Sequence, residues 1–368
     1  MAGLGISGPG GSAPIASQST FACLPVGYRA MPSLPLRSWR YFAALLQTRA
    51  YDIAGLDAIK KLLRDKIINP VLRPDLHVGL HRAPRGILLF GPPGTGKTTL
   101  AKWMAAESGA CFFEVTPSSV ISKFHGETEK LIKALFKVAE LESPSLIFID
   151  EIDSLLGKRR EREDDTSIRM KNQLLQMMDG LSSSSTSTII VVGATNRPDM
   201  LDEAAVRRLT RRVLVPLPDV ETRAAIIRQV LDSQTPGGCR LLPEELESLS
   251  EKLSNWSGAD IRALCASAAD RGYDEAIQQF GGIDKIPSRN AFRPISHADF
   301  LEALKHPRQR AKGTAAKRDV YDAYERRDKT HSRRGRDTAN AEASAAHCER
   351  DKGGTQEEKA KSRNNPTL

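Results

Sequence analysis

The chain has 368 residues, with 54 Lys and Arg against 45 Asp and Glu, a formal charge of +9, 40% hydrophobic residues and 5% aromatic ones. That length can bury one sizeable core or two modest ones, and the mix of charged and apolar residues excludes both a wholly disordered chain and a collagen-like one. The longest apolar runs, such as GILLF and TIIVVG, are strand-sized. They fall far short of the roughly 18 residues that a membrane-spanning helix needs, which excludes a transmembrane reading.

The first segment, residues 1–51, carries Arg29, Arg37, Arg40 and Arg49 and no acidic residue, and is rich in Gly, Ala, Ser and Pro. Acid-poor, Arg-bearing and Ser-rich is the composition of an organellar transit peptide, and equally that of a disordered leader. From Asp52 the pattern changes to short apolar runs alternating with amphipathic stretches. GILLF (Gly86–Phe90), CFFEV (Cys111–Val115), SLIFID (Ser145–Asp150), TIIVVG (Thr188–Gly193) and RVLVPL (Arg212–Leu217) read as five strands, with helices over Lys97–Glu107 and Thr128–Leu141 between them. The pattern predicts an α/β domain over 52–219 with a mostly parallel sheet and helices on both faces.

After Leu217–Asp219 helical periodicity takes over, predicting a smaller all-helical domain over 220–305. Ser296 stands three residues before Asp299, ahead of an apolar run, as in a capping box. Residues 306–368 are charged, polar and nearly free of large apolar side chains, so this tail is expected to be mostly disordered, with one helix surviving around KRDVYDAYERR.

Charge follows these divisions. Residues 52–305 hold 34 basic and 35 acidic side chains, whereas residues 306–368 hold 16 basic and 10 acidic ones. The positive charge belongs to the flanks, and the neutral middle argues against a nucleic-acid-binding core. Cys23, Cys111, Cys239, Cys265 and Cys348 are scattered, with no C-x-x-C pair, so neither a disulfide framework nor a zinc site is suggested and a reducing compartment is expected.

The strongest chemical signal is GPPGTGKT, which satisfies G-x-x-x-x-G-K-[ST] directly after a strand and at the start of a helix. In the loop Gly91, Pro92, Pro93, Gly94, Thr95 and Gly96, the glycines would let backbone N–H groups wrap phosphates, with Lys97 on the β and γ phosphates. The Thr98 hydroxyl would ligate Mg²⁺, and Thr99 follows it. The second signal is LIFIDEID, Leu146–Asp153, an apolar strand ending in carboxylates. Asp150 would hold Mg²⁺ together with Thr98, and Glu151 would polarise the attacking water.

With GATNRP (Gly193–Pro198) and LDEAAVRRL (Leu201–Leu209), these motifs resemble the AAA ATPases. More narrowly, DIAGLD, RPDLHVGL, PRGILLFGPPGTGKT, SKFHGETEK and SHADFLEAL are similar to the group containing katanin, spastin, fidgetin and the vacuolar-sorting ATPases, over about residues 52–305. The resemblance implies a P-loop NTPase fold with a helical lid, ATP and Mg²⁺ as cofactors, and a homo-hexameric ring. It implies that Asn196 orients the hydrolytic water and that Arg207 and Arg208 are fingers reaching a neighbour's γ-phosphate. It further implies that WSGADIRALC closes over the adenine through Gly258 and Ala259, with Ile53 and Gly55 lining the other side. Lys123, Phe124 and His125 match the pore loop that grips a protein substrate.

Several positions depart from that pattern. Phe124 stands where Trp or Tyr is commoner, Ile168 where the severing enzymes place Arg, Gln173 where they have an acid, and Arg327 where the C-terminal helix usually has Trp. The microtubule-interacting helical bundle common in the group does not fit into 51 residues of this composition.

The expectation is a Mg²⁺-dependent ATPase that threads protein through a ring pore, with microtubule severing as the leading activity because tubulin tails are acidic and the chain's flanks are basic. The alternatives are vacuolar-sorting-like filament disassembly, an organellar protein extractase, and a scaffold that binds ATP without hydrolysing it. A cytoplasmic, cytoskeleton-associated location is expected, or a mitochondrial or plastid one if residues 1–51 are a transit peptide.

Overall fold

A computed structural model of the chain describes residues 53–79, 82–117, 128–158, 165–180, 187–234, 239–288, 291–305 and 320–326. The leader, the pore-loop residues Lys123, Phe124 and His125, and most of the tail lie outside these.

Five strands form one parallel sheet in the order β2-β3-β4-β1-β5: β1 Gly86–Phe90, β2 Cys111–Val115, β3 Ser145–Ile149, β4 Ile189–Thr195 and β5 Arg211–Leu214. All residues of β1, β3 and β4 are buried. Alternate side chains explain why these runs are apolar throughout. Ile87, Leu89, Leu146 and Phe148 pack on one face against Leu63, Leu100 and Met104, while Leu88, Phe90, Ile147 and Ile149 pack on the other against Leu131, Leu135 and Met170. Helices α1 (Asp57–Leu63) and α2 (Lys97–Ser108) supply the first layer. The second comes from α3 (Thr128–Leu141) and, beyond the short α4 (Ile152–Leu155), from α5 (Asp165–Gly180). Each fully buried Leu, Ile or Phe contributes about 1.5–3 kcal/mol.

Strand β4 lies between β3 and β1, with Thr195 paired to Phe90 and Gly193 to Ile149. The carboxyl ends of three adjacent strands thus open onto one edge, each followed directly by a polar motif: the phosphate loop after β1, Asp150-Glu151 after β3 and Asn196 after β4. Ligands of open α/β sheets bind at this edge. The turn after β4 leads to α6 (Glu203–Arg208), capped by the Asp202 carboxylate, which accepts from Ala204 N at 2.8 Å.

Asp219 ends the sheet region by accepting from Thr222 N at 2.8 Å, starting α7 (Val220–Gln234). Then come β6 (Cys239–Arg240), α8 (Pro243–Lys252), α9 (Gly258–Phe280), β7 (Ile295–Ser296) and α10 (His297–Ala303). Their core gathers Ile227, Leu249, Ile261, Leu264 and Phe300. The parallel pair β6–β7 is an addition to the helical pattern read from sequence; two-residue strands carry no periodicity to detect. The Ser296–Asp299 box is formed, Asp299 Oδ2 accepting from Ser296 N at 2.9 Å and Oγ at 2.8 Å. Arg293 donates two hydrogen bonds to the same buried carboxylate, at 2.7 and 2.8 Å, and holds it well below the usual carboxylate range. Finally α11, residues 320–326, lies within the tail and returns to the sheet, its Tyr321 buried in the core behind β1 and β4.

Candidate active site

A cavity of about 360 Å³ lies at the carboxyl edge of the sheet, walled by the phosphate loop, Asp150, Glu151 and Asn196 on one side and by the helical region on the other. Pro93 through Thr99 line it, with Ile53, Gly258 and Ala259 at the far wall, as the sequence motifs suggest. Gly91 and Pro92 instead serve from behind. Their carbonyls accept from the Lys97 ammonium at 3.0 and 2.7 Å. Burial pulls the Lys97 pKa down to about 8, while the Asp150 carboxylate partly opposes that fall. A polyanion would compete for this buried ammonium and favour its charged form.

Gly94 joins the two walls. Its carbonyl accepts from Ala259 N at 3.1 Å, and its backbone sits at φ +75, where a Cβ would come within 2.5 Å of Ser257 Oγ. Gly55 does not face the cavity. It lies against Thr222, so closely that a Cβ would be 2.2 Å from Oγ1, and so fixes the neighbouring Ile53-Ala54 wall.

Thr98 Oγ1 donates to Asp150 Oδ2 at 3.2 Å. Two hard oxygens at this spacing match the edge of an Mg²⁺ octahedron, about 3 Å for ligands at 2.0–2.1 Å, so the donor set fits that ion. The other Asp150 oxygen accepts from Glu151 N at 2.9 Å. Glu151 itself has a left-handed backbone, φ 45, a conformation a non-glycine residue holds only when its surroundings enforce it. Here Ser154 enforces it, donating to the Glu151 carbonyl from N at 2.8 Å and from Oγ at 2.7 Å. The Oδ1 of Asn196 is buried with no hydrogen-bond partner among the described residues, and the residue lines the cavity. An orphan acceptor in a cavity that Glu151 also lines is suited to accept from a water molecule bound there.

Arg207 and Arg208 lie away from this cavity, at the end of α6. Arg207 is exposed, and among the described residues its one ion pair is with Glu203 at 3.8 Å. Arg208 is tied within its own subunit: its guanidinium makes a two-pronged contact with Asp179 of α5 and donates to the Ala204 carbonyl at 2.8 Å. Ile168 lies on α5 at the rim of a second cavity, whereas Gln173 is buried, its Nε2 without a partner among the described residues.

Some contributors escaped the sequence reading. Thr222, Ile226, Gln229 and Arg262 also line the cavity. Arg262 follows Gly258 by four residues on α9, a spacing that puts both on one helix face and could have flagged it. Asp153, the last acid of the carboxylate motif, accepts from Thr195 Oγ1 at 2.8 Å and so ties the turn after β3 to the end of β4.

Comparison with known proteins agrees with this geometry. Residues 87–217 match the family described as "ATPase family associated with various cellular activities (AAA)". Fidgetin-like protein 1 of Xenopus laevis is 45% identical over 253 residues, which make up 69% of this chain and 38% of that protein. Spastin of Dictyostelium discoideum is 45% identical over 257 residues, 70% of this chain and 38% of that protein. The chain thus spans under two-fifths of the length of these relatives. Among solved structures, the crystal structure of the FIGL-1 AAA domain superimposes with a TM-score of 0.70 at 35% identity, covering 81% of this chain and 97% of that one. The same domain in complex with ADP gives a TM-score of 0.68 at 35% identity.

Proposed function

The chain belongs to the AAA ATPases, related to the fidgetin-like and spastin proteins, and from that premise we propose that it hydrolyses MgATP in the cavity under Gly94 to remodel a protein substrate. Residues 52–219 form the nucleotide-binding domain and 220–305 the lid. Adenine lies between Ile53 and the start of α9 at Gly258-Ala259, and the phosphates lie on the loop from Gly91 to Gly96. Lys97 neutralises the β and γ phosphates and stabilises charge that builds on them during transfer. Thr98 and Asp150 would hold Mg²⁺, which would supply positive charge to offset that of the phosphates. Glu151 takes the proton of the attacking water while Asn196 fixes that water through its side-chain amide. Arg207 and Arg208 of one subunit reach the γ-phosphate of the next in a homo-hexameric ring. This requires Arg208 to leave Asp179 on assembly.

The observation that carries this reading is the convergence of Lys97, Thr98, Asp150, Glu151 and Asn196 on one cavity. The proposed substrate is the acidic tail of tubulin, gripped by Lys123, Phe124 and His125 in the ring pore, and the activity is microtubule severing. Two facts support it: the relatives include spastin, and the flanks of the chain carry the excess positive charge. The test is co-sedimentation and severing of microtubules by the full chain with ATP, beside Phe124→Ala. Severing by wild type, lost in Phe124→Ala with basal hydrolysis spared, is the expected result. Intact microtubules with wild type, or unchanged severing by the variant, would overturn the substrate and pore assignments.

A further inference from the structure

The tail helix α11 makes two contacts that no nucleotide motif predicts, and both fall at the ends of paired strands. The ring of Tyr324 packs edge-on against Phe90, centroids 5.1 Å apart, and Phe90 is the last residue of β1 before the phosphate loop. Tyr321 reaches the neighbouring strand end, where its hydroxyl donates to the Asn196 backbone carbonyl at 2.9 Å. Phe90 and Thr195 are direct register partners, so α11 spans the junction from which both the phosphate loop and Asn196 depart.

The peptide unit joining Asn196 to Arg197 is held at both its polar ends. Its carbonyl accepts from Tyr321, and its N–H donates to Thr195 Oγ1 at 2.9 Å. That hydroxyl in turn donates to Asp153, two residues beyond Glu151. A peptide plane has one soft torsion to each side. Fixing both its donor and its acceptor fixes the Asn196 Cα, and with it the origin of the side chain that lines the cavity. Asn196 Oδ1 has no protein partner of its own among the described residues, so backbone anchoring carries that task. Tyr321 is buried, and burial raises its pKa, with Asp199 adding to the rise, so the hydroxyl stays protonated and remains a donor.

We propose that Tyr321 is a positioning residue for hydrolysis: with Thr195 and Asp153 on the opposite side, it clamps the 196–197 peptide and aims the Asn196 amide at the attacking water. The tail therefore contributes to the active site from well beyond the lid. This rests on the assignment of Asn196 under the proposed function, so its test has an arm that needs no nucleotide.

In the full chain, Tyr321→Phe removes one oxygen and keeps the ring. The variant is expected to melt within about 2 °C of wild type and to lower kcat roughly tenfold with the KM for ATP within twofold. Without nucleotide, hydrogen exchange of a peptic peptide spanning 194–198 is expected to quicken. In an Asn196→Ala background the kcat effect should vanish, because the side chain being aimed is gone. Thr195→Val should reproduce the exchange effect and Thr195→Ser should not. Unchanged kcat and unchanged exchange would overturn the clamp. So would a tenfold loss that persists in Asn196→Ala, or a loss expressed as raised KM with a lowered melting temperature. If wild type turns over no ATP, the functional assignment fails while the exchange arm still decides the clamp: faster exchange in Tyr321→Phe supports it and unchanged exchange refutes it.

Discussion

Gly94→Ala tests whether the lid and the phosphate loop form one binding surface. Gly94 lies at φ +75, which costs an alanine about 1–2 kcal/mol. The added Cβ would also lie 2.5 Å from Ser257 Oγ and 3.0 Å from the Ala259 Cβ, so the start of α9 must move away. That movement breaks the 3.1 Å bond from Ala259 N to the Gly94 carbonyl, worth about 1 kcal/mol. The binding-competent loop is therefore raised by about 2–3 kcal/mol, a weakening of nucleotide affinity by roughly 30- to 150-fold. Titration with a fluorescent ATP analogue measures it. A second substitution separates the lid contact from loop strain: Ser257→Gly in the Gly94→Ala background removes the worst overlap and costs the α9 cap only a few tenths of a kcal/mol. Part of the lost affinity should return, about fivefold. Affinity of Gly94→Ala within threefold of wild type, or no recovery with Ser257→Gly, would refute the shared surface.

The buried Asp299 carboxylate gives the lid an acid limit. Its folded pKa lies below the usual carboxylate value, chiefly through Arg293, so its stabilisation is complete above about pH 5 and is lost as pH falls through the folded pKa. Asp299→Asn should lower stability by about 2 kcal/mol at neutral pH, since Arg293 keeps water on one side, and should flatten the acid limb of a melting-temperature profile. An unchanged acid limb would show that other carboxylates set it. The two arginines of α6 should separate: Arg208→Ala loses its contacts to Asp179 and Ala204 and should melt several degrees lower, whereas Arg207→Ala should melt like wild type. Both should lose at least tenfold in ATP turnover at concentrations where the chain assembles, and full activity of either would exclude it as a finger. Asp153→Asn keeps the size of the side chain but weakens its bond to Thr195, and is expected to lower kcat severalfold with KM for ATP unchanged, as measured by steady-state kinetics.

Sequence carried the sheet and the phosphate loop because burial on both faces makes β1, β3 and β4 continuous apolar runs ending abruptly in glycine or carboxylate. Boundaries drifted where hydrogen bonding and the apolar run end at different residues. Strand β4 continues through Ala194 and Thr195, past the point where the apolar run stops, and β5 ends at Leu214, before the prolines Pro216 and Pro218. Among the residues that line the cavity, Lys97, Thr98, Asp150 and Glu151 stand in motifs legible from spacing, and Asn196 was reached through the family resemblance. Residues acting through a single long-range hydrogen bond were not. Nothing in the local pattern links Thr195 to Asp153, and Tyr321 lies 125 positions from the carbonyl it holds. The helix around Tyr321 was expected within the polar tail and is present at 320–326, but only folding reveals that Tyr321 and Tyr324 dock on the sheet.

Steady-state ATP turnover by the wild-type chain beside Glu151→Gln, with nucleotide affinity measured on both, addresses the central claim most directly. The account predicts Mg²⁺-dependent turnover in wild type and a loss of about 10²–10⁴-fold in the variant at nearly unchanged ATP affinity, as removal of a general base requires. Equal turnover by the two proteins, or none by either, would contradict it.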